Sequence, residues 1–198
     1  MVFSEKILDG GLLNNMRIIS GKFKGTKINY LKTEITRPLK DSVKENIFNV
    51  LLHSNHINIK IENANILDMY SGVGSFGLEC ISRGAKKVIF IEQDYKALRI
   101  LKENIKKLKI LNKVKIIKKI DDLNIKNEKF DIFFFDPSFK DKQYLVNLES
   151  IKKSKVFNKN HVVLIHREKK MDEKLNLYLN IVFIKQYGRS KIIFGNFH

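Results

Sequence analysis

A chain of 198 residues is long enough to bury one sizeable core, and its single cysteine, Cys80, excludes an internal disulfide framework and fits a reducing cytoplasm. No stretch approaches the ~18 consecutive apolar residues that a bilayer span needs, and residues 1–15 lack the basic, apolar and cleavable order of an export signal. Lys and Arg outnumber Asp and Glu by 38 to 21, for a formal charge of +17, a balance that suits a polyanionic partner through counterion release. A face of lysines that merely solvates the protein gives the same composition.

Residues 1–15 read as a tail or extension, with the organised chain beginning at Met16. Residues 16–20 and 26–30 read as short extended segments around Gly21 and Gly25, a hairpin with basic residues at its tip. Pro38, after Thr36 and Arg37, sets a turn. A helix follows, where Ser42 and Glu45 have capping-box spacing and Val43, Ile47, Val50 and Leu51 recur at helical intervals.

From residue 66 strands alternate with helices. Strand 66–69 leads to helix 76–83, which Gly84 stops, and strand 87–92 leads to helix 95–108, with Leu98, Leu101, Ile105 and Leu108 on one side. Strands 114–120 and 130–135 follow, the second apolar enough to be covered on both faces. Helix 143–153 and strand 161–166 come next. Segments 181–186 and 191–194, joined by 187–190, form a terminal antiparallel hairpin. The pattern predicts one α/β domain, a hairpin and helix over 16–60 and a core over 61–198, with a mainly parallel seven-stranded sheet. In such a sheet a ligand sits beyond the carboxyl ends of the strands, so the informative residues lie just after them.

The first core strand ends at Asp68 and opens into Ser71-Gly72-Val73-Gly74-Ser75-Phe76-Gly77, a Gly-x-Gly-x-x-Gly turn between strand and helix. Dinucleotide enzymes share that spacing, and Glu92, at the end of the second strand, suits the hydroxyls of any ribose. Asp68 separates the options: a carboxylate before the loop repels a pyrophosphate but attracts the cationic amino group of S-adenosylmethionine. Asp121 or Asp122, after the third strand, is positioned for an adenine amine, and the spacing does not choose between them.

After the fourth strand comes Asp136-Pro137-Ser138-Phe139. An exocyclic base amine is a poor nucleophile because its lone pair is delocalised into the ring. Hydrogen bonds from that amine to the Asp136 carboxylate and the Pro137 carbonyl favour a pyramidal nitrogen, with its lone pair free to attack a methyl group in line. Phe139 offers a stacking surface worth ~1–3 kcal/mol, and the base must leave its stack to reach it. This chemistry needs no metal, covalent nucleophile or histidine base. The alternatives are an adenine N6 methyltransferase, for whose separate target-recognition region the chain has little spare length, and a non-catalytic RNA-binding factor with a degenerate site. A dinucleotide oxidoreductase ranks last.

Asp68-x-x-Ser71-Gly72-x-Gly74 followed by Asp136-Pro137-x-Phe139 resembles class I methyltransferases carrying an Asp/Asn-Pro-Pro-aromatic motif. More narrowly, the run Met16 to Gly25, Arg37-Pro38 with Lys44 to Asn49, and Gly77 to Ala85 resemble the bacterial RsmD family. The resemblance implies a Rossmann-like fold and methylation of a guanine N2 amine in 16S ribosomal RNA within the small subunit or an assembly intermediate. It implies that the glycine loop and Glu92 bind S-adenosylmethionine, released as S-adenosylhomocysteine, and that residues 136–139 hold the guanine. It further implies that Arg17, Lys22, Lys24 and Lys27 meet RNA phosphates and that Arg37 closes the cofactor pocket. A monomeric, cytoplasmic enzyme away from membranes is expected. Ser138 departs from the family, which usually has a second proline there; serine restores a backbone N–H and frees φ. Cys80 and His166 are expected to be structural.

Overall fold

The structure is a computed structural model that describes residues 7–8, 11–31, 39–120 and 128–198. Strands β1 (Ile7–Leu8), β2 (Gly11–Arg17) and β3 (Lys27–Leu31) form a separate antiparallel sheet. The expected boundary at residue 16 thus falls inside β2, where Asn14 and Asn15 pair with Tyr30 and Asn29. The Leu-Leu-Asn-Asn run breaks the two-residue alternation that marks a strand, which hid this pairing in the sequence.

Helix α1 (Asp41–His53) buries Val43, Ile47, Val50 and Leu51 as its periodicity requires. The capping box does not form. Lys40 occupies the N-cap without a side-chain bond, and Ser42 lies inside the first turn, where its carbonyl accepts from Asn46 Nδ2 at 2.7 Å. Asp41 instead places negative charge at the helix start.

The central sheet contains β4 (Asn65–Met69), β5 (Lys87–Ile91), β6 (Val114–Ile117), β7 (Phe130–Phe135), β8 (Phe157–Glu168), β9 (Leu179–Tyr187) and β10 (Ser190–Phe197). Their order is β6-β5-β4-β7-β8-β10-β9, and β10 alone runs opposite to the other six strands. Helices α2 (Ser75–Ser82), α3 (Tyr95–Leu108) and α4 (Gln143–Ser154) complete the core. Strand β6 stops three residues early, and β8 begins four residues before its apolar stretch because Phe157 pairs with Phe130 across polar Asn158, Lys159 and Asn160.

Alternate residues of the sheet feed two cores. Ile66, Phe90, Ile132, Phe134 and Leu164 meet α1, α2 and α3, whereas Leu67, Phe133, Phe135, Val163 and Ile165 meet α4. Phe76 stacks between Phe48 and Phe134, with centroids 5.3 and 4.1 Å apart, and so joins α1 to the sheet through α2. Cys80 is fully buried in the first core, and burial pushes its thiol well above the ordinary value. Among the described residues no helix is long and apolar enough to cross a membrane.

The chain leaves β4 toward β5 and β6 on one side and lies beside β7 and β8 on the other. Met69 pairs with Phe135, so the loops that follow β4 and β7 open at the same crevice, the switch point of the sheet.

Candidate active site

The loop after β4 is wound tightly. Tyr70, Gly72 and Gly74 all have positive φ, at 60°, 54° and 87°, and Gly74 is the N-cap of α2. Ser71 holds the loop against β5, its N–H and its hydroxyl both donating to the Ile91 carbonyl. The glycines divide their work. A Cβ on Gly77 would lie 2.3 Å from the Phe90 ring and one on Gly74 would lie 2.5 Å from Leu101, so these two let α2 close on the sheet and on α3. A Cβ on Gly72 would meet nothing within 4 Å, so the space beside its half-buried backbone is the part of the loop open to a ligand.

Asp68 is 1% exposed. Its Oδ2 accepts from the Gly77 N–H at 2.9 Å, while Oδ1 has no hydrogen-bond partner among the described residues. Burial drives its carboxyl well above the ordinary value; the Gly77 bond opposes that, and the nearby charges of Asp136 and Glu92 add to it. A cationic ammonium group satisfies both the bare oxygen and the charge, so the site fits the amino end of S-adenosylmethionine. The native state holds the Asp68 proton more tightly than the unfolded chain, so stability without ligand is lost as pH rises from about 4 through the raised native value. Asp68→Asn keeps an acceptor for Gly77 and has no charge. Its melting temperature relative to the wild type is expected to rise by several degrees between pH 5 and pH 8, with weakened cofactor binding. Thermal melts across that range check this, and a pH-independent offset would rule it out.

Glu92 lies just past β5 and is half-buried. Its Oε2 accepts from the Gly72 N–H at 2.6 Å, and Oε1 accepts from the N–H groups of Gln93 and Asp94, both at 2.8 Å. A carboxylate offers about four acceptor positions, so the remaining one lies at Oε2, beside Gly72. The residue expected to bind a ribose therefore also braces the glycine loop.

The loop after β7 starts with the Asp136 N–H, which donates to the Met69 carbonyl at 3.4 Å. The β7–β8 register, Phe135 opposite Ile165, brings His166 next to Asp136, and His166 Nδ1 lies 2.8 Å from Asp136 Oδ1. Beside an ionised carboxylate that nitrogen carries the proton. His166, expected to be structural, is thus a direct partner of the candidate acceptor, and its ring meets Phe139 edge-on at 5.8 Å. Pro137 is buried and Ser138 exposed.

Arg167 was missed altogether. It is 1% exposed, donates from Nη1 to the Ser138 carbonyl and from Nη2 to the Phe139 carbonyl, each at 3.0 Å, and pairs through Nε with Glu173 at 2.8 Å. No signal in the sequence marks it, since its burial and its partners come only from the fold. Asp121, Asp122 and Arg37 lie outside the described residues.

The basic hairpin belongs to a sheet of its own, separate from the central sheet. Its turn docks on the carboxyl end of α2. Glu79 accepts from the N–H groups of Ile19 and Ser20, Ser82 Oγ accepts from the Phe23 N–H, and the Lys22 N–H donates to the Ser82 carbonyl. Gly21 is required there, since a Cβ would lie 2.0 Å from the Ser82 carbonyl oxygen. The other end of the hairpin reaches the glycine loop: Asn104 of α3 bonds both the N–H and the carbonyl of Asn29 and also donates to the Val73 carbonyl. Arg17, Lys22, Lys24 and Lys27 all keep exposed side chains, with Arg17 3.8 Å from Asp41 and Lys22 over the Phe23 ring. Ser82 lies roughly 12 Å along α2 from Gly74, so the basic turn and the glycine loop mark the two ends of one helix.

A family model described as conserved hypothetical protein 95 matches residues 16–196. The ribosomal RNA small subunit methyltransferase D of Buchnera aphidicola (subsp. Baizongia pistaciae) is 31% identical over 182 residues, covering 91% of this chain and 90% of its own. The chain belongs to the RsmD family. The methyltransferase D of Haemophilus influenzae is 34% identical, over 68% of this chain and 69% of its own. The solved structure of yhhF from Escherichia coli superposes with a TM-score of 0.75 at 24% identity, over 93% of this chain and 98% of that one. The fold is the Rossmann-like one that the RsmD resemblance implied.

Proposed function

We propose that this chain transfers a methyl group from S-adenosylmethionine to the exocyclic N2 amine of a guanine in small-subunit ribosomal RNA. One observation carries the assignment of the site: the β4–β7 register opens the Asp68–Gly77 and Asp136–Phe139 loops side by side, with the Asp136 charge close enough to act on the buried Asp68 carboxyl. Family membership supports the reaction, and the relatives named above carry the substrate class in their names.

Asp68 and the Gly72 edge hold the cationic amino-acid end of the cofactor, and Glu92 takes a ribose hydroxyl at Oε2. When bound, the cofactor supplies an electrophilic methyl group on a cationic sulfur. Asp136 keeps Oδ1 on His166 and turns Oδ2 to the guanine amine, whose second N–H donates to the Pro137 carbonyl. Phe139 supports the flipped base. The protein's contribution is orientation together with fixed acceptors aimed at the developing positive charge on nitrogen. Arg17, Lys22, Lys24 and Lys27 form a positive face for RNA phosphates.

The test is methyl transfer from labelled S-adenosylmethionine to small subunits lacking their base methylations, followed by nucleoside analysis. N2-methylguanosine is the expected product. N6-methyladenosine would reassign the base, and binding of RNA without cofactor binding or transfer would make the protein a non-catalytic factor.

A further inference from the structure

We propose that Arg167, paired with Glu173, is a positioning residue that sets the backbone at Phe139 and thereby the direction of the ring against which the base stacks. The proposal rests on the assignment of residues 136–139 as the amine-binding loop.

The carbonyls of Ser138 and Phe139 lie on either side of the Phe139 α-carbon, so their mutual orientation is fixed by φ and ψ of that one residue. Arg167 grips both, through Nη1 and Nη2 of a single planar group. A guanidinium fork is rigid, so holding two successive carbonyls leaves Phe139 one backbone conformation. The loop needs such a restraint. Ser138 is exposed and has no ring to close its φ, and the Asp141 N–H on the Ser138 carbonyl, at 2.9 Å, holds only one of the two carbonyls.

The surroundings of Arg167 are those of an internal brace and not of a substrate-binding arginine. Its guanidinium is enclosed, lies 4.6 Å over the Tyr144 ring, and meets Glu173 through Nε at 2.8 Å and through Nη2 at 2.7 Å. Burying a guanidinium is costly unless its donors are satisfied, and here they are satisfied by a carboxylate and by the loop itself. The neighbouring His166 approaches the same loop from the Asp136 side and touches the Phe139 ring. Two consecutive β8 residues therefore frame the loop, one at the carboxylate and one at the backbone.

The experiment compares Arg167→Met, Arg167→Lys and Arg167→Met combined with Ser138→Pro, with kcat counted per cofactor-binding site so that unfolded protein does not enter. Arg167→Met is expected to lose about 30- to 100-fold in kcat with KM for S-adenosylmethionine within about threefold, the pattern of a misplaced reacting group. Arg167→Lys, which reaches one carbonyl, falls between it and the wild type, and it stands in should the methionine variant fail to fold. Proline at 138 restricts the loop by another route, so the double variant is expected to recover about two- to fivefold over Arg167→Met. Wild-type kcat per site in the single variants, or a double variant no faster than Arg167→Met, overturns the proposal. Asp136→Asn, run in parallel, separates the two ideas. If it is fully active, the loop assignment itself fails; if it is inactive while Arg167→Met is not, only the brace fails.

Discussion

Asp136→Asn is expected to lower methyl transfer by about 10²- to 10⁴-fold while cofactor affinity stays within a few-fold of the wild type. The carboxylate has two tasks that an amide cannot perform together. Oδ1 accepts from His166 Nδ1 at 2.8 Å, which leaves Oδ2 for the amine of the base. An asparagine has one acceptor oxygen, so it satisfies either the histidine or the substrate, and it presents an N–H to whichever partner it does not accept from. It also removes the negative charge that faces the nitrogen as positive charge develops there. Cofactor binding is spared because the Asp136 charge lies near that of Asp68 and raises its pKa, so losing it eases the Asp68 carboxylate. Single-turnover transfer with the enzyme in excess over subunits gives the chemical step directly, and a wild-type rate would remove Asp136 from the reaction.

Glu79→Ala is expected to cost about 3–5 kcal/mol of stability. Glu79 is fully buried and serves four partners: the N–H groups of Ile19 and Ser20 at 2.8 and 2.9 Å, Arg83 Nε at 2.9 Å, and Lys44 Nζ at 4.0 Å. Alanine leaves two amide donors without an acceptor and takes one of two carboxylates from the buried Lys44 ammonium, which keeps Asp41 at 3.4 Å and the Arg17 carbonyl at 3.0 Å. Burial already lowers the Lys44 pKa, with the charges of Glu79 and Asp41 opposing it, so losing Glu79 pushes that lysine further toward its neutral form. For a chain of this length the cost corresponds to a fall of about 6–20 °C in melting temperature. Combining Glu79→Ala with Lys44→Met removes a buried charge that has lost one of its two carboxylates and is expected to return part of the loss. A loss below about 1 kcal/mol in the single variant would mean that apolar contact and the bonds to Ser82 hold the hairpin without Glu79.

The core elements were legible where a periodic signal existed. Helix 95–108 and strand 130–135 appear with the bounds their periodicity predicts, because each buries one continuous apolar face or run. What escaped is polar and distant in sequence. Glu79 meets residues about 60 positions away, Asn104 meets one 75 positions away, and Arg167 reaches back 28 and 29 positions to the loop after β7. No local pattern marks such pairs, since only the folded topology brings them together. The capping box failed for a related reason, since Ser42 and Glu45 have the right spacing while the helix start is set two residues earlier, at Lys40. In the site, the glycine spacing was visible but its division of work was not. Whether a glycine faces a ligand or a neighbouring side chain depends on what the fold places against its α-carbon, here Leu101 for Gly74 and Phe90 for Gly77.

The way the hairpin turn is fastened divides its amide protons into two populations. The N–H groups of Ile18, Gly25 and Thr26 are bonded within the turn, to the carbonyls of Thr26, Ile18 and Phe23. Those of Ile19, Ser20, Lys22 and Phe23 are bonded to Glu79 and Ser82 of α2. Solvent exchange of the first set follows the unravelling of the turn, whereas exchange of the second follows its lifting from the helix as an intact piece. Seven neighbouring amides thus distinguish a hairpin that melts from one that undocks.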